Sequence, residues 1–251
     1  MGTFSISNKA LFQSFFPIIY NSYWFATAYF VIYILSNYIN KLIYAIDRKE
    51  LFQLILILVV LLSVLPTFFK ATTPFSNTFW FLLLYLIAAY IRLYNPTWLN
   101  KKYCLVLGIG FYGLCLLSCL LFDLFAMRWS VFSKYETYFS GMNMTTTLIT
   151  SVLLFAGFKN LSMNFSPVIN TIAASTFGVY LIHDNRYMRW FLWGKLFRNA
   201  DFYNSSFLVL HAFVAIGLTF VVCTLGDLIY RKLIEQNVWK VVARLRHKKI
   251  D

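Results

Sequence analysis

The feature that most constrains this chain is a series of long stretches without a charged residue. Seven stretches of 19 to 31 residues lie between consecutive charges. They are Ala10–Asn40, Leu51–Phe69, Ala71–Ile91, Tyr103–Phe122, Thr137–Phe158, Asn160–His183 and Phe202–Gly226. The first exceeds one span, and Pro17 is predicted to break it so that the span begins near Trp24. Because a helix needs ~20 mostly apolar residues to cross a bilayer, the pattern predicts a polytopic α-helical membrane bundle of about seven transmembrane helices.

The composition excludes an ordinary soluble domain. Hydrophobic residues make up 60% of the chain and charged residues 12%, whereas soluble domains carry about 25% charged residues. A membrane β-barrel would show alternating segments of about ten residues, but Leu54–Val60 is continuously apolar. The sequence therefore predicts an all-α fold. With no repeat or linker visible, residues 1–251 are predicted to form a single membrane domain, of which 227–251 form a basic cytoplasmic or interfacial tail.

The net charge of +13 is best explained by membrane topology. If the seven spans alternate, 14 of the 22 basic residues lie on the side of the C-terminal tail and 8 on the other. Because basic loops favour the cytoplasm, the bias predicts a multi-pass protein of the cell membrane with Met1 outside and Asp251 in the cytoplasm. The lipid bilayer is the partner that this charge indicates, and no nucleic acid is expected.

The cysteines indicate neither disulfides nor a metal. All four lie inside the apolar stretches, without a CxxC pair or a cluster with histidine. Disulfide frameworks and zinc sites need such spacings, so no metal site is predicted.

Polar side chains at membrane depth are costly and are the natural places to look for function. The sixth stretch ends in Tyr180, His183 and Asp184. On a helix, Tyr180 and His183 share a face, and a histidine beside a carboxylate can be held in one tautomer and act as a base. The alternative interpretation, a helix end whose polar residues meet lipid headgroups, stays open.

Two arginines follow in a loop predicted to face outward. Arg186 and Arg189 oppose the general bias of basic residues toward the inside. They can bind an anionic glycan or a lipid-linked phosphate, or simply contact headgroups.

Three segments carry a resemblance to a known family. Phe177–Asp184 (FGVYLIHD) resembles the late-span motif of the acyltransferase family 3 membrane O-acyltransferases. Phe16–Ile19 followed by Tyr23–Phe30 is similar to that family's aromatic-rich span, which begins with Tyr-Trp-Phe. Asp227–Arg231 resembles the end of the family's final helix. The segments occur in the family's order and cover most of the chain.

The resemblance implies an enzyme that transfers an acyl group, often acetyl, to a carbohydrate hydroxyl. Acetyl-CoA or another acyl-CoA would be the donor substrate, and the acceptor would be a cell-surface or lipid-linked carbohydrate, as in O-acetylation during polysaccharide biosynthesis. The catalytic candidates are His183 and Asp184. The substrate-binding candidates are Tyr180, Arg186, Arg189 and Trp24.

The chain departs from the family in one respect. The family's principal catalytic histidine, in its first span, and the arginines after its third span have no counterpart here. We therefore expect a truncated or split form, with a separately encoded N-terminal half as a possible partner and little activity of this chain alone. A non-catalytic membrane subunit or inactive fragment is the alternative. A transporter or flippase is disfavoured because only His211 and Asp123 are ionisable candidates within spans.

Overall fold

A computed structural model describes residues 12–13, 16–69, 77–235 and 237–238, and all regular structure in these residues is helical. The seven long helices are α1 (Trp24–Ala45), α2 (Arg48–Phe69), α3 (Asn77–Tyr94), α4 (Tyr103–Arg128), α5 (Thr145–Lys159), α6 (Pro167–His183) and α7 (Leu208–Tyr230). Shorter helical turns cover Ser130–Tyr135, Tyr138–Ser140, Arg186–Arg189, Trp190–Leu196, Asn199–Phe202 and Arg231–Glu235.

The ends and irregularities of these helices follow from identifiable side chains. At the start of α2, the Asp47 carboxylate accepts a hydrogen bond from the Glu50 N–H at 2.7 Å, and the Glu50 carboxylate accepts one from the Asp47 N–H at 2.9 Å, which satisfies two of the free donors of the first turn. Later in α2, residues Val60–Val64 are π-helical. Pro66 follows, and its missing N–H removes one bond of the helical ladder.

Each of the seven predicted stretches overlaps one long helix, and the prediction of an all-helical membrane bundle is confirmed. Within the described residues, five helical segments are long and apolar enough to cross a membrane: Arg48–Phe69, Asn77–Tyr94, Tyr103–Arg128, Ser130–Lys159 and Leu208–Glu235. Helix α6 has 17 residues, a length of about 26 Å, whereas the hydrocarbon core is ~30 Å thick. Helix α1 is long enough, but tyrosines and asparagines lower its hydropathy. The count of seven spans stays a prediction.

Helix α4 shows how these helices meet their surroundings. Its side chains Val106, Ile109, Leu114, Leu120 and Leu124 are each more than half exposed. A helix that is apolar on all sides is not stable with those sides in water, and such extensive apolar surface is rare on soluble monomers. Lipid chains are the surroundings that this surface fits.

The chain forms two compact units, and the first is the continuous segment Trp24–Met163, here called the α1–α5 unit. Its core contains the buried residues Ile43, Leu51, Leu83, Leu86 and Leu148 from α1, α2, α3 and α5. Burying each of these side chains contributes ~1.5–3 kcal/mol relative to exposure to water, although lipid lowers that gain for membrane-embedded positions.

Helices α4 and α5 approach each other closely at a glycine. A Cβ added to Gly157 would lie 2.6 Å from the backbone of Leu105. Small residues at helix interfaces allow such close backbone contact, which substitutes for the missing hydrophobic driving force in a bilayer.

The second unit, here called the α6–α7 unit, comprises residues Met1–Tyr23 and Asn164–Asp251. Its described residues are 12–13, 16–23, 164–235 and 237–238. Helix α7 continues beyond the predicted end of its span at Gly226 and includes Asp227. Residues 239–251 of the predicted tail lie outside the described residues.

Candidate functional site

Most of the predicted site residues lie at the C-terminal end of helix α6, in the α6–α7 unit. The helix begins after Ser166, whose hydroxyl accepts a hydrogen bond from the Ile169 N–H at 3.4 Å, with Pro167 at the first helical position. Both choices are typical of helix starts, where backbone N–H groups lack partners. The helix ends at His183, and Asp184 is the capping residue. The last turn therefore places several polar side chains together.

The imidazole of His183 is held by its own helix. Its Nδ1 lies 2.7 Å from the Val179 carbonyl oxygen. Because a carbonyl only accepts hydrogen bonds, Nδ1 carries the proton, and Nε2 of the neutral ring has a lone pair. The Tyr180 ring meets the imidazole edge-on at 6.3 Å between centroids, which confirms that the two share a face. His183 is half-buried, so Nε2 can accept a hydrogen bond or a proton from a ligand.

Asp184 has a different partner from the one that the sequence suggested. Its Oδ1 lies 3.6 Å from Nε of Arg189, and the two side chains are 21% and 54% exposed. The tautomer of His183 is thus fixed by the Val179 carbonyl, whereas Asp184 forms an ion pair with the second of the predicted arginines. Their catalytic and substrate-binding roles stay predictions.

A tyrosine near the start of the chain joins this end of α6. The Tyr23 hydroxyl donates to the Leu181 carbonyl at 3.1 Å and accepts from Asn185 Nδ2 at 2.9 Å. Its ring meets that of Tyr180 edge-on at 5.9 Å. Asn185 in turn accepts a hydrogen bond from the Tyr187 N–H at 3.0 Å. Tyr23 and Asn185 were not among the predicted site residues, and the bond that joins them spans 162 residues.

Helices α6 and α7 meet at a charged contact inside the unit. Asp227 of α7 is 7% exposed, and its Oδ2 lies 2.8 Å from Nε of Arg231, one turn later. A Cβ added to Gly178 would overlap the Asp227 carboxylate. Nη2 of Arg231 donates to the Ala174 carbonyl. The segments Phe177–Asp184 and Asp227–Arg231, distinguished separately in the sequence, are therefore in direct contact.

The sequence contains a signal for the pair formed by Asp227 and Arg231. An aspartate within an otherwise apolar helix is expensive to bury unless it is paired. A basic residue four positions later on the same helix is the nearest partner that could pair with it. Asp227 and Arg231 have this spacing.

Two other predicted binding residues, Arg186 and Trp24, are not part of the contacts described above. Arg186 is exposed, at the first position of the short helix Arg186–Arg189. Trp24 is the first residue of α1 in the α1–α5 unit, where it meets the rings of Phe25 and Phe81 edge-on. The structure brings together Tyr180, His183, Asp184 and Arg189 at the end of α6.

The second described histidine is engaged in packing. The His211 ring stacks on Phe202 with centroids 3.8 Å apart and planes 5° apart. Its Nε2 lies 3.0 Å from the amide oxygen of Asn199. Among the described residues, no three His, Cys, Asp or Glu side chains lie close enough together to hold a metal ion.

The helices define a multi-pass membrane protein, and the residues at the end of α6 define a polar site with a half-buried imidazole. The sequence model of a family described as an acyltransferase domain matches residues 2–228. The chain belongs to acyltransferase family 3, as its three segments suggested, and is in general terms a membrane acyltransferase. Comparison with curated proteins and with solved structures found no match.

Proposed function

We propose that this protein transfers an acyl group, most simply acetyl from acetyl-CoA, to a hydroxyl of a cell-surface or lipid-linked carbohydrate. Membership of the acyltransferase family carries the proposal. The geometry of His183 supports it, because an imidazole with its proton on Nδ1 offers Nε2 to an acceptor hydroxyl.

The transfer needs little from the protein besides position and charge. The acceptor oxygen attacks the thioester carbonyl, the C–O bond forms, and the C–S bond breaks. The hydroxyl proton moves to His183 Nε2, and the protonated ring returns a proton to the coenzyme A thiolate as it leaves. In this proposal His183 Nε2 accepts the hydrogen bond of the attacking hydroxyl, and the Asp184–Arg189 pair at the same helix end binds further hydroxyls of the sugar.

The proposed orientation places Met1 outside and Asp251 in the cytoplasm. A reporter fused after Lys102 and one fused after Asp251 are both expected to signal from the cytoplasm, because the basic side of a membrane protein stays inside. Activity of an alkaline phosphatase fusion, which requires export, would be measured against a green fluorescent protein fusion, with one joined after Trp129 as the opposite control. An exported signal at Asp251 would contradict the orientation.

Deleting the gene in its own host tests the function with any partner still present. We expect the acyl content of one cell-surface carbohydrate to fall to background and to return when the wild-type gene is restored. Acyl esters would be measured by mild alkaline release and mass spectrometry, and transfer would be followed in membranes with radiolabelled acetyl-CoA. An unchanged acyl content in the deletion strain would refute the proposal. Equal restoration by wild type and by the His183 variants below would show that the transfer does not depend on this residue.

A further inference from the structure

The α1–α5 unit contains a cavity that the proposed site at α6 does not use. Its volume is about 710 Å³, and small-molecule sites typically measure about 300–1,000 Å³. It lies among α1, α3 and α5, near the ends of these helices that close with Ala45, Tyr94 and Lys159. The residues that matter for its chemistry are Asn40, Tyr44, Tyr85, Arg92, Phe155 and Lys159.

The cavity is positively charged. Among its described lining residues are Arg92 and Lys159 and no carboxylate. Lys159 Nζ donates to the side-chain oxygen of Asn95, a neutral partner that leaves the charge in place. Asp47 and Glu50, at the start of α2, do not line the cavity. The carboxylate of each accepts a hydrogen bond from the backbone N–H of the other residue.

An ordinary role for the two cations is to stabilise helix ends. The C-terminal end of a helix carries about half a negative charge, and cations in the last turn complement it. Arg92 and Lys159 occupy the last turns of α3 and α5. Two full charges against about one and a half from the three helix ends at the cavity still leave a positive excess. The ordinary role also requires neither a cavity between the helices nor a polar wall.

The wall of the cavity offers more than charge. The Tyr85 hydroxyl donates to the Asn40 side-chain oxygen at 2.9 Å, so a fixed polar pair lies between α1 and α3. Tyr44 and Phe155, which also line the cavity, are 76% and 52% exposed. Exposed aromatic faces can stack on a purine ring, and cations beside them can bind phosphates.

We propose that this cavity binds the phosphorylated nucleotide half of the acyl-CoA donor, with Arg92 and Lys159 contacting its phosphates. The inference rests on the proposed function, which supplies the donor. A phosphate from an anionic lipid headgroup has the same chemistry as the phosphates of coenzyme A. Only a nucleotide also uses the exposed rings.

Acetyl-CoA binding to the purified full chain tests the inference without any acceptor. In nanodiscs of zwitterionic lipid, we expect Arg92→Gln and Lys159→Gln each to raise the dissociation constant about tenfold, and the double variant about a hundredfold, because each removes a charge-assisted hydrogen bond. The matched controls are Lys101→Gln and Lys102→Gln, which remove the same charge at the same end of the unit without lining the cavity. Their dissociation constants are expected to stay within twofold.

Two further arms separate the possible sources of phosphate. Dephospho-CoA, which lacks the 3′-phosphate, is expected to bind the wild type at least tenfold more weakly than acetyl-CoA. Equal binding of the two, together with complete displacement by phosphatidylglycerol, would make the cavity a headgroup site and overturn the donor assignment. Unchanged binding by the Arg92/Lys159 double variant, or no binding by the wild type, would also overturn it.

Failure of this inference is distinguishable from failure of the proposed function. If host membranes containing the Arg92/Lys159 double variant acylate the carbohydrate with a wild-type KM for acetyl-CoA, the donor site is elsewhere and the function stands. The predicted result is a raised KM with kcat little changed, as expected when binding common to ground and transition states is lost. The gene deletion described above tests the function by itself.

Discussion

Replacing His183 by asparagine or by glutamine is expected to lower the rate of acyl transfer about a hundredfold or more. Asparagine can keep the hydrogen bond to the Val179 carbonyl that Nδ1 now makes, but it removes Nε2. Glutamine can place an amide near the Nε2 position, but an amide does not accept a proton. Loss of a general base typically costs ~10²–10⁴ in rate. The measurement is acyl transfer in host membranes, divided by the amount of protein inserted.

The design separates chemistry from packing. If His183 only packs, asparagine should preserve activity, because it retains the local hydrogen bond, and any loss should follow the protein's abundance. The control is His211→Gln, a change at a histidine that stacks on Phe202 and is bound by Asn199; its turnover is expected to stay near wild type. Wild-type turnover in both His183 variants would show that this residue is structural.

The second large effect is expected at the contact between α6 and α7. A methyl group at Gly178 would overlap the Asp227 carboxylate, so Gly178→Ala should destabilise the protein by roughly 1–3 kcal/mol, the usual cost of overpacking. Breaking a buried ion pair costs ~3–5 kcal/mol. The Arg231 side chain is 36% exposed, which lets water offset part of that loss, so we expect about 2 kcal/mol for Asp227→Ala.

A double variant and a second glycine make this prediction specific. Gly217→Ala on α7 is the matched control, because its added Cβ would meet no atom within 4 Å apart from its chain neighbours and the backbone of its own helix. It should be neutral or slightly stabilising, since alanine favours helix over glycine. Combining Gly178→Ala with Asp227→Ala removes the carboxylate, which makes the closest part of the overlap, and leaves only the Cβ of residue 227 at 2.9 Å. The double variant should therefore lose less stability than the sum of the single losses. Thermal unfolding in detergent would measure all four variants. Equal behaviour of Gly178→Ala and Gly217→Ala would contradict the contact.

The sequence predicted the helices well and their ends less well. Every charge-free stretch overlaps a long helix, because bilayer thickness requires long apolar runs. A charge, however, is a poor marker of a helix end. Glu50 is the charged residue immediately before the stretch that begins at Leu51, yet it lies in the first turn of α2 and is part of the capping box with Asp47. Asp227 closes the last stretch at Gly226, yet it lies inside α7.

The site was predictable only where its contacts are local. Three-residue spacing on a helix placed Tyr180 beside His183. The tautomer could not be predicted, because Val179 contributes a backbone carbonyl that no side-chain pattern reveals. The partners Tyr23 and Asn185 are 162 positions apart, and a single sequence carries no signal for a contact at that distance.

The bond between Tyr23 and the end of α6 has a consequence for biosynthesis. The Leu181 carbonyl to which Tyr23 donates lies 158 positions later in the chain. At roughly 5–20 residues per second, the ribosome synthesises Leu181 about 8–30 s after Tyr23. The α1–α5 unit is continuous in the chain, and its helices emerge during that interval. The bond between Tyr23 and α6 therefore cannot form before α6 has been made, so closing this long loop is a late step in the making of the protein.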